Sequence, residues 1–138
     1  MKHLFIFTSI ATLSLVACKT EKSCTNYPSF QFIGSTIYVQ PVGSAGFTDT
    51  HNWQQAIDYC NNLDFDGCDD WYLPSKDELH ELYLNKNQIG DFSSVYYWSS
   101  THAQSIDDKA LKQDFHDGSG NPTTTYDYDN LRCQCVRK

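Results

Sequence analysis

Two cysteines near the end of the chain are the residues best suited to chemistry. Cys133 and Cys135 stand two positions apart in the segment RCQC. Alternate residues of a β-strand point to the same face, so a strand here would place both thiols side by side. Thiolates bind soft metals and undergo redox chemistry, whereas the same residues could equally be held in structural disulfides. Their spacing leaves both interpretations open.

The histidines give no comparable signal. An H-x-x-x-H spacing on a helix would bring two imidazoles to one metal ion, and no pair in the chain has it. The sequence therefore predicts no zinc site and no catalytic residues. The histidines considered are His51, His80, His102 and His116.

Four carboxylates crowd into the segment DFDGCDD. Oxygen ligands at this density can bind Ca²⁺, which prefers carboxylates and carbonyls. The twelve-residue EF-hand pattern is nevertheless missing, because no glutamate stands at its closing position. We expect a solvated turn, with calcium as the alternative and no other cofactor. The four residues are Asp64, Asp66, Asp69 and Asp70.

The overall charge excludes one class of partner. The 138 residues carry a formal net charge of -7 at pH 7. Binding to DNA or RNA depends largely on lysine and arginine side chains that neutralise phosphates. The sequence therefore predicts no nucleic-acid binding, and its length fits a single domain.

The first residues have the pattern of an export signal. Lys2 precedes an apolar run over residues 4–15, which is too short to span a bilayer as a mature helix. The segment LVAC resembles a bacterial lipoprotein signal, which implies removal of residues 1–17 and a diacylglycerol on Cys18. An ordinary secretory signal is the alternative. Because Lys19 rather than aspartate follows, the resemblance implies an anchor in the cell envelope, at the outer membrane or cell surface.

The polar residues 18–29 are predicted to form a lipidated tether, and residues 30–138 a folded domain. Export places the domain where disulfides persist. Five cysteines remain after Cys18, so at least one thiol stays free or pairs outside the chain. The five are Cys24, Cys60, Cys68, Cys133 and Cys135.

The periodicity of the domain predicts an α+β fold. Runs over residues 30–33 and 36–39 flank Gly34 and indicate a first hairpin. In NWQQAIDYCNNL, apolar residues recur at helical spacing after a cap at Asn52 or Thr50, so Cys60 should face the core. Ser75 and Glu78 form an S-x-x-E capping box, which marks a second helix. Short strand patterns follow, and the first and last strands could pair.

The segment over residues 116–130 has the composition of a recognition surface. Tyrosine gives a large contact area at low entropic cost, and Ser, Gly and Asn adapt their hydrogen bonds. Trp98, in the earlier segment VYYWSSTH, is expected in the core instead. The predicted ligand-binding residues are His116, Asp117, Asn121, Tyr126, Asp127, Tyr128 and Asn130.

Four motifs in order resemble one protein family. The helix pattern W-x-x-A-x-x-Y-C, then DWYLPSKDEL, YYWSST and a closing C-V-R resemble the Lcl C-terminal domain family over about residues 30–138. The resemblance implies a C-type-lectin-like fold, related to formylglycine-generating enzymes, with two helices packed on short antiparallel sheets. Members of the family are ligand-binding modules of bacterial surface proteins and lipoproteins. The calcium motifs of true C-type lectins are absent, so calcium-dependent sugar binding is not implied.

The resemblance also implies cross-links. The lectin-like fold joins its first helix to its last strand, which implies a Cys60–Cys135 disulfide. Cys68 with Cys133 is implied as the second pair, and Cys24 would then be unpaired in the tether. The related formylglycine-generating enzymes use paired cysteines and copper, so a copper site at Cys133 and Cys135 is the alternative.

These observations predict a lipid-anchored bacterial surface protein with a non-catalytic ligand-binding domain. Its expected partners are a membrane, reached through the lipid, and a glycan or protein recognised in adhesion. The alternatives are an oxidase like the formylglycine-generating enzymes and a structural envelope lipoprotein.

Overall fold

The computed structural model describes residues 23–41, 49–90, 92–104, 108–116 and 123–138. The predicted signal peptide lies outside these residues, as do Cys18, Asp117 and Asn121. No helix within the described ranges is both long and apolar enough to cross a membrane.

The described chain is α+β, as the sequence predicts. Two antiparallel or mixed sheets accompany two nine-residue helices and one short helix. In chain order the elements are β1 (Ser29–Phe32), β2 (Ser35–Val39), β3 (Thr50–His51), α1 (Trp53–Asn61), α2 (Lys76–Leu84), α3 (Lys86–Ile89), β4 (Tyr96–His102), β5 (Lys109–Asp114), β6 (Thr123–Tyr126), β7 (Leu131–Arg132) and β8 (Val136–Arg137).

The smaller sheet joins the two ends of the domain. β1 and β2 form the predicted hairpin around a two-residue turn, in which Ile33 and Gly34 both have positive φ. β8 pairs antiparallel with β2, with Val136 opposite Val39. The sheet order is therefore β1-β2-β8. The N-terminal hairpin and the last strand share a sheet as expected, and β2 is the strand of the hairpin that pairs with β8.

The larger sheet has the order β3-β7-β4-β5-β6, with β4 and β7 parallel and the other pairs antiparallel. β3 and β6 were not predicted. Residues 123–126, expected in a loop, form β6 because they pair along β5, with Tyr126 opposite Lys109. Cys133 and Cys135, expected on one strand, lie in the connection between β7 and β8.

Both long helices begin with the caps that the sequence indicates. Asn52 accepts a hydrogen bond from the backbone N–H of Gln55, whose side chain accepts one from the Asn52 N–H. Ser75 and Glu78 form the same reciprocal pair at the start of α2. These boxes satisfy backbone donors that a helix start leaves open, so both helix starts are set locally.

Consecutive residues of β4 face two different clusters of the core. Tyr97 belongs to a cluster with the hairpin and α2, whereas Trp98 belongs to a second cluster with α1 and the cysteines. Neighbouring strand residues point to opposite faces, which explains the division. Trp98 is fully buried, as predicted, and its indole N–H donates to the carbonyl of His51 at 2.8 Å.

The disulfides confirm one predicted pair and correct the other. Cys60 is bonded to Cys135, as expected. Cys68 is bonded to Cys24 rather than to Cys133, which remains a buried thiol. The predicted pairing failed because it treated Cys24 as part of a free tether.

The segment that precedes β1 packs on the domain. Besides the Cys24 bond, the ring of Tyr27 lies 5.5 Å from that of Trp71. Arg137 donates a hydrogen bond to the carbonyl of Cys24 and two to the carboxylate of Asp70, at 2.5 and 2.7 Å. The folded domain therefore begins at or before residue 24, ahead of the predicted boundary at residue 30.

We expect Trp98→Ala to lower the free energy of unfolding by about 3 kcal/mol, because it leaves a cavity and removes the bond to His51. Urea denaturation measures this loss. Tyr96→Ala is the matched control, since Tyr96 lies on the same strand but is 40% exposed. Similar losses in the two variants would contradict the assignment of Trp98 to the core.

We expect Asp70→Asn to lower the free energy of unfolding by about 1–2 kcal/mol at pH 7, because charge-assisted hydrogen bonds contribute more than neutral ones. The loss is modest because the Asp70 side chain is half exposed, and water screens the ion pair. The hydrogen bond from Arg137 holds the pKa of Asp70 below its usual value. Because the pKa of Asp70 is lower in the folded protein than in the unfolded one, its ionised carboxylate stabilises the fold at pH values above the unfolded-state pKa of about 3.9. That stability is lost as the pH falls through the folded-state pKa.

The difference between Asp70→Asn and the unmodified protein should therefore shrink between pH 7 and pH 2. Urea denaturation at both pH values measures it, with the exposed neighbour in Asp69→Asn as the control. A difference that persists in acid would show that the Arg137 pair is not its cause.

Candidate functional site

Two exposed tyrosines form the most prominent surface feature of the predicted recognition segment. Tyr126 and Tyr128, which we call the tyrosine pair, stack with ring centroids 5.0 Å apart and an interplanar angle of 14°. They are 47% and 63% exposed. The backbone N–H of Asp129 donates to the carbonyl of Tyr126, and the hydroxyl of Thr125 donates to the Asp129 carboxylate. These bonds close the turn that carries Tyr128.

A small cavity adjoins the tyrosine pair. It has a volume of about 180 Å³, and we call it the hollow. The backbone N–H of Trp53 donates to the carbonyl of Asp127 at 2.8 Å, which ties this turn to the first residue of α1. The residues that line the hollow are Asn52, Gln54, Asp127 and Tyr128.

The side chains of the hollow differ in their remaining hydrogen-bond capacity. The Asn52 oxygen is used by the α1 cap, and the Gln54 amide nitrogen donates to Asp58 at 2.9 Å. The Asp127 carboxylate makes no hydrogen bond or ion pair with any of the described residues. The residues that line the hollow therefore retain a carboxylate and an amide oxygen as acceptors, with the Asn52 amide nitrogen as a donor.

The electrostatic environment of the tyrosine pair is negative. The pKa of the Tyr128 hydroxyl is raised, first by desolvation and then by the negative charges of its neighbours, which include Asp108, Asp127 and Asp129. A cation already occupies part of this surface, since the Lys109 ammonium lies 4.9 Å from the centroid of the Tyr126 ring. The site can therefore attract cations and hold them against aromatic rings.

The structure separates the predicted ligand-binding residues into groups. Tyr126, Asp127 and Tyr128 are together beside Lys109, but His116 lies beyond the opposite end of β5, a strand about 16 Å long. His116 lines a different cavity of about 390 Å³, with Lys86 among its other residues.

Asn130 lines a third cavity, of about 200 Å³, beside Tyr96 and Arg132. The single continuous ligand face that the sequence suggested is therefore not present in the described residues. Asp117 and Asn121 lie outside them.

The residues at the start of α1 carry no sign of this site in the sequence. Asn52 and Gln54 precede Asp127 by more than 70 positions, and the β3–β7 pairing and the Trp53 contact bring the two segments together. Asn52 was recognisable as a helix cap, but nothing in its local sequence indicated a neighbouring turn. Lys109 was missed for the same reason, because only the β5–β6 pairing places it beside Tyr126.

The acidic turn has structural contacts. The Asp64 carboxylate accepts a hydrogen bond from the Gly67 N–H at 3.0 Å, and Asp70 binds Arg137. Asp66 and Gly67 both have positive φ, which fits a tight turn. Within the described ranges, the one group of three metal-ligating side chains with converging ligand atoms consists of cysteines, not of these carboxylates. The predicted calcium alternative therefore has no assembled set of carboxylates.

Three sulfur atoms lie together in the core. The Sγ atoms of Cys60, Cys133 and Cys135 are within 4.8 Å of one another, and two of them form the disulfide. Burial raises the pKa of the Cys133 thiol to about 12. The thiolate is the reactive form, so this thiol is a weak nucleophile and a weak metal ligand near neutral pH.

The comparison with known proteins agrees with this architecture. The model of the Lcl C-terminal domain matches residues 16–137, most of the chain. No curated protein matches the chain. The match extends ahead of β1, and it includes Cys24, which the structure ties to the domain through Cys68. The chain belongs to the Lcl C-terminal domain family.

Proposed function

We propose that this protein is a lipid-anchored module of the bacterial surface whose domain binds a glycan or protein ligand without catalysis. The observation that carries the proposal is the tyrosine pair on its hydrogen-bonded turn, with Tyr128 at the edge of the hollow. Two neighbouring exposed tyrosines give a large contact area with a polar hydroxyl on each ring. Tyrosine is also enriched among residues that dominate binding energies.

The rigidity of the turn favours a recognition role. Asp127 contributes its N–H to the carbonyl of Asp108 at 3.0 Å and its carbonyl to Trp53 at 2.8 Å. The start of β5, the start of α1 and the tyrosine turn are thus connected through one residue. A site ordered before binding loses less conformational entropy when the ligand arrives.

The position of Cys24, which follows the predicted anchor in the sequence, is compatible with a ligand at the tyrosine pair. Helix α1 starts at the tyrosine turn and ends near the Phe65–Cys68 bridge, which the disulfide joins to Cys24. Nine residues at 1.5 Å each span about 13 Å. The chain thus enters the domain at one end of α1, while the tyrosine pair lies at the other.

The lipid would hold the domain close to the membrane. Cys24 stands six positions after Cys18, which corresponds to at most about 22 Å of extended chain. The two disulfides fit an oxidising compartment such as the cell envelope. An outer-membrane or surface location is part of the proposal.

The state of the cysteines favours binding over oxidase chemistry. Cys135 is committed to the bond with Cys60, and Cys133 is a buried thiol with a raised pKa. The oxidase alternative would use two accessible thiols at these positions. This difference supports a non-catalytic domain.

We expect Tyr126→Ala with Tyr128→Ala to weaken binding at least 100-fold, because buried aromatic anchors contribute about 2 kcal/mol each. An array of glycans and surface proteins, probed with the mature chain, identifies the ligand, and titration of the variants measures its affinity. The melting temperature should change little.

Tyr96→Ala is the matched control, since it removes another exposed tyrosine from the third cavity. Unchanged affinity in the double variant would refute the proposed site. Loss in the control alone would place the ligand beside Asn130.

We expect Cys18→Ser to release the protein from membranes or leave it as unprocessed precursor, because serine has no thiol to carry the lipid. Detergent partitioning and the intact mass of the protein measure the outcome. An unchanged mass and an unchanged detergent fraction in this variant would refute the anchor.

A further inference from the structure

The hollow offers an incomplete set of interactions that one kind of side chain would complete. Tyr128 and Asp127 both line the hollow, and the Asp127 carboxylate has no partner among the described residues. The Gln54 amide nitrogen is used by Asp58, which leaves its oxygen as a further acceptor. A ligand for this site must therefore bring several donors and a flat or cationic surface.

The charge around the hollow restricts the class of ligand further. Asp108, Asp127 and Asp129 all act electrostatically on Tyr128, and the whole chain carries a net charge of -7. An anionic glycan would be repelled by these carboxylates. The hydroxyl groups of a neutral glycan can donate hydrogen bonds to Asp127, but only a cationic donor also compensates its charge.

The chain itself shows how its exposed tyrosines bind cations. Lys109 lies over the ring of Tyr126, and Lys112 lies over the ring of Tyr96 with its ammonium 3.9 Å from the centroid. No such contact involves Tyr128 among the described residues, although it is the more exposed member of the pair. Its ring remains available to a cation from outside.

We propose that the hollow binds the guanidinium group of an arginine in a basic segment of a partner protein. This inference rests on the proposed binding function and chooses a protein ligand over a glycan. A guanidinium is planar, so it can stack on Tyr128 while its N–H groups reach Asp127 and the Gln54 oxygen. A cavity of about 180 Å³ accommodates such a group.

Three peptides that differ only in one side chain test the proposal. The probes are acetylated (Gly-Arg)₄, (Gly-Lys)₄ and (Gly-citrulline)₄ amides, titrated against the mature chain by calorimetry at low and high salt. Citrulline has nearly the shape of arginine but no charge. We expect the arginine peptide to bind at least tenfold more tightly than the lysine peptide and the citrulline peptide to show no binding. Equal binding of the arginine and citrulline peptides overturns the inference.

The Asp127→Asn variant tests whether peptide binding depends on the Asp127 carboxylate itself or on the net charge of the chain. It preserves the backbone bonds of Asp127, and we expect it to weaken binding of the arginine peptide at least tenfold. Asp77→Asn is the matched control, because it removes one exposed carboxylate at the start of α2 and should have little effect. Equal losses in the two variants would show non-specific attraction and overturn the inference.

The binding experiments can also refute the arginine site without refuting the proposed binding function. An array ligand that is a neutral glycan, lost in the double tyrosine variant, would overturn the arginine site and leave the binding function intact. An arginine peptide that binds the unmodified chain and the double tyrosine variant equally would overturn the site at Tyr128. Backbone amide shifts at Asn52, Gln54 and Asp127 on addition of the arginine peptide would support it.

Discussion

The Cys60–Cys135 disulfide is the constraint on which the remainder of the fold depends. It joins α1 to the C-terminal segment across 75 positions and lies in the same core cluster as Trp98. In the chain-entropy model, closing a loop of this length stabilises the folded state by about 4 kcal/mol. Its effect is also geometric, because the segment that it fixes pairs with both sheets and ends the chain.

Hydrogen bonds join the segment around Cys135 to Gln40, which follows β2 of the hairpin sheet. The N–H of Gln40 donates to the carbonyl of Cys135 at 3.0 Å, and the Gln134 side chain donates to the carbonyl of Gln40 at 2.9 Å. Both glutamine side chains are buried, so these bonds satisfy polar groups that would otherwise lose water without compensation. Arg137 then holds Cys24 and Asp70 at the end of β8. The last eight residues thus contact both sheets, the Cys24 segment and the acidic turn.

The tyrosine pair depends on the same arrangement through α1. The disulfide fixes the C-terminal end of this helix, while Trp53 at its start donates from its indole to Ser99 and from its backbone to Asp127. The tyrosine turn is therefore supported by a helix that is held at both ends. The tyrosine pair itself adds little to the stability of the core, because Tyr126 and Tyr128 are exposed.

The sequence by itself determined the features that depend on near neighbours. Capping at Asn52 and Ser75, the hairpin around Gly34, the inward position of Cys60 and the burial of Trp98 follow from propensity and periodicity. Periodicity also predicted the α+β class, and the family resemblance added the Cys60–Cys135 bond. Tertiary structure alone decided that Cys24 pairs with Cys68, that Cys133 stays a thiol, and that β6 forms beside β5. It also decided that Asn52 and Gln54 meet Asp127, because such contacts depend on how distant segments pack, and local patterns carry no record of that packing.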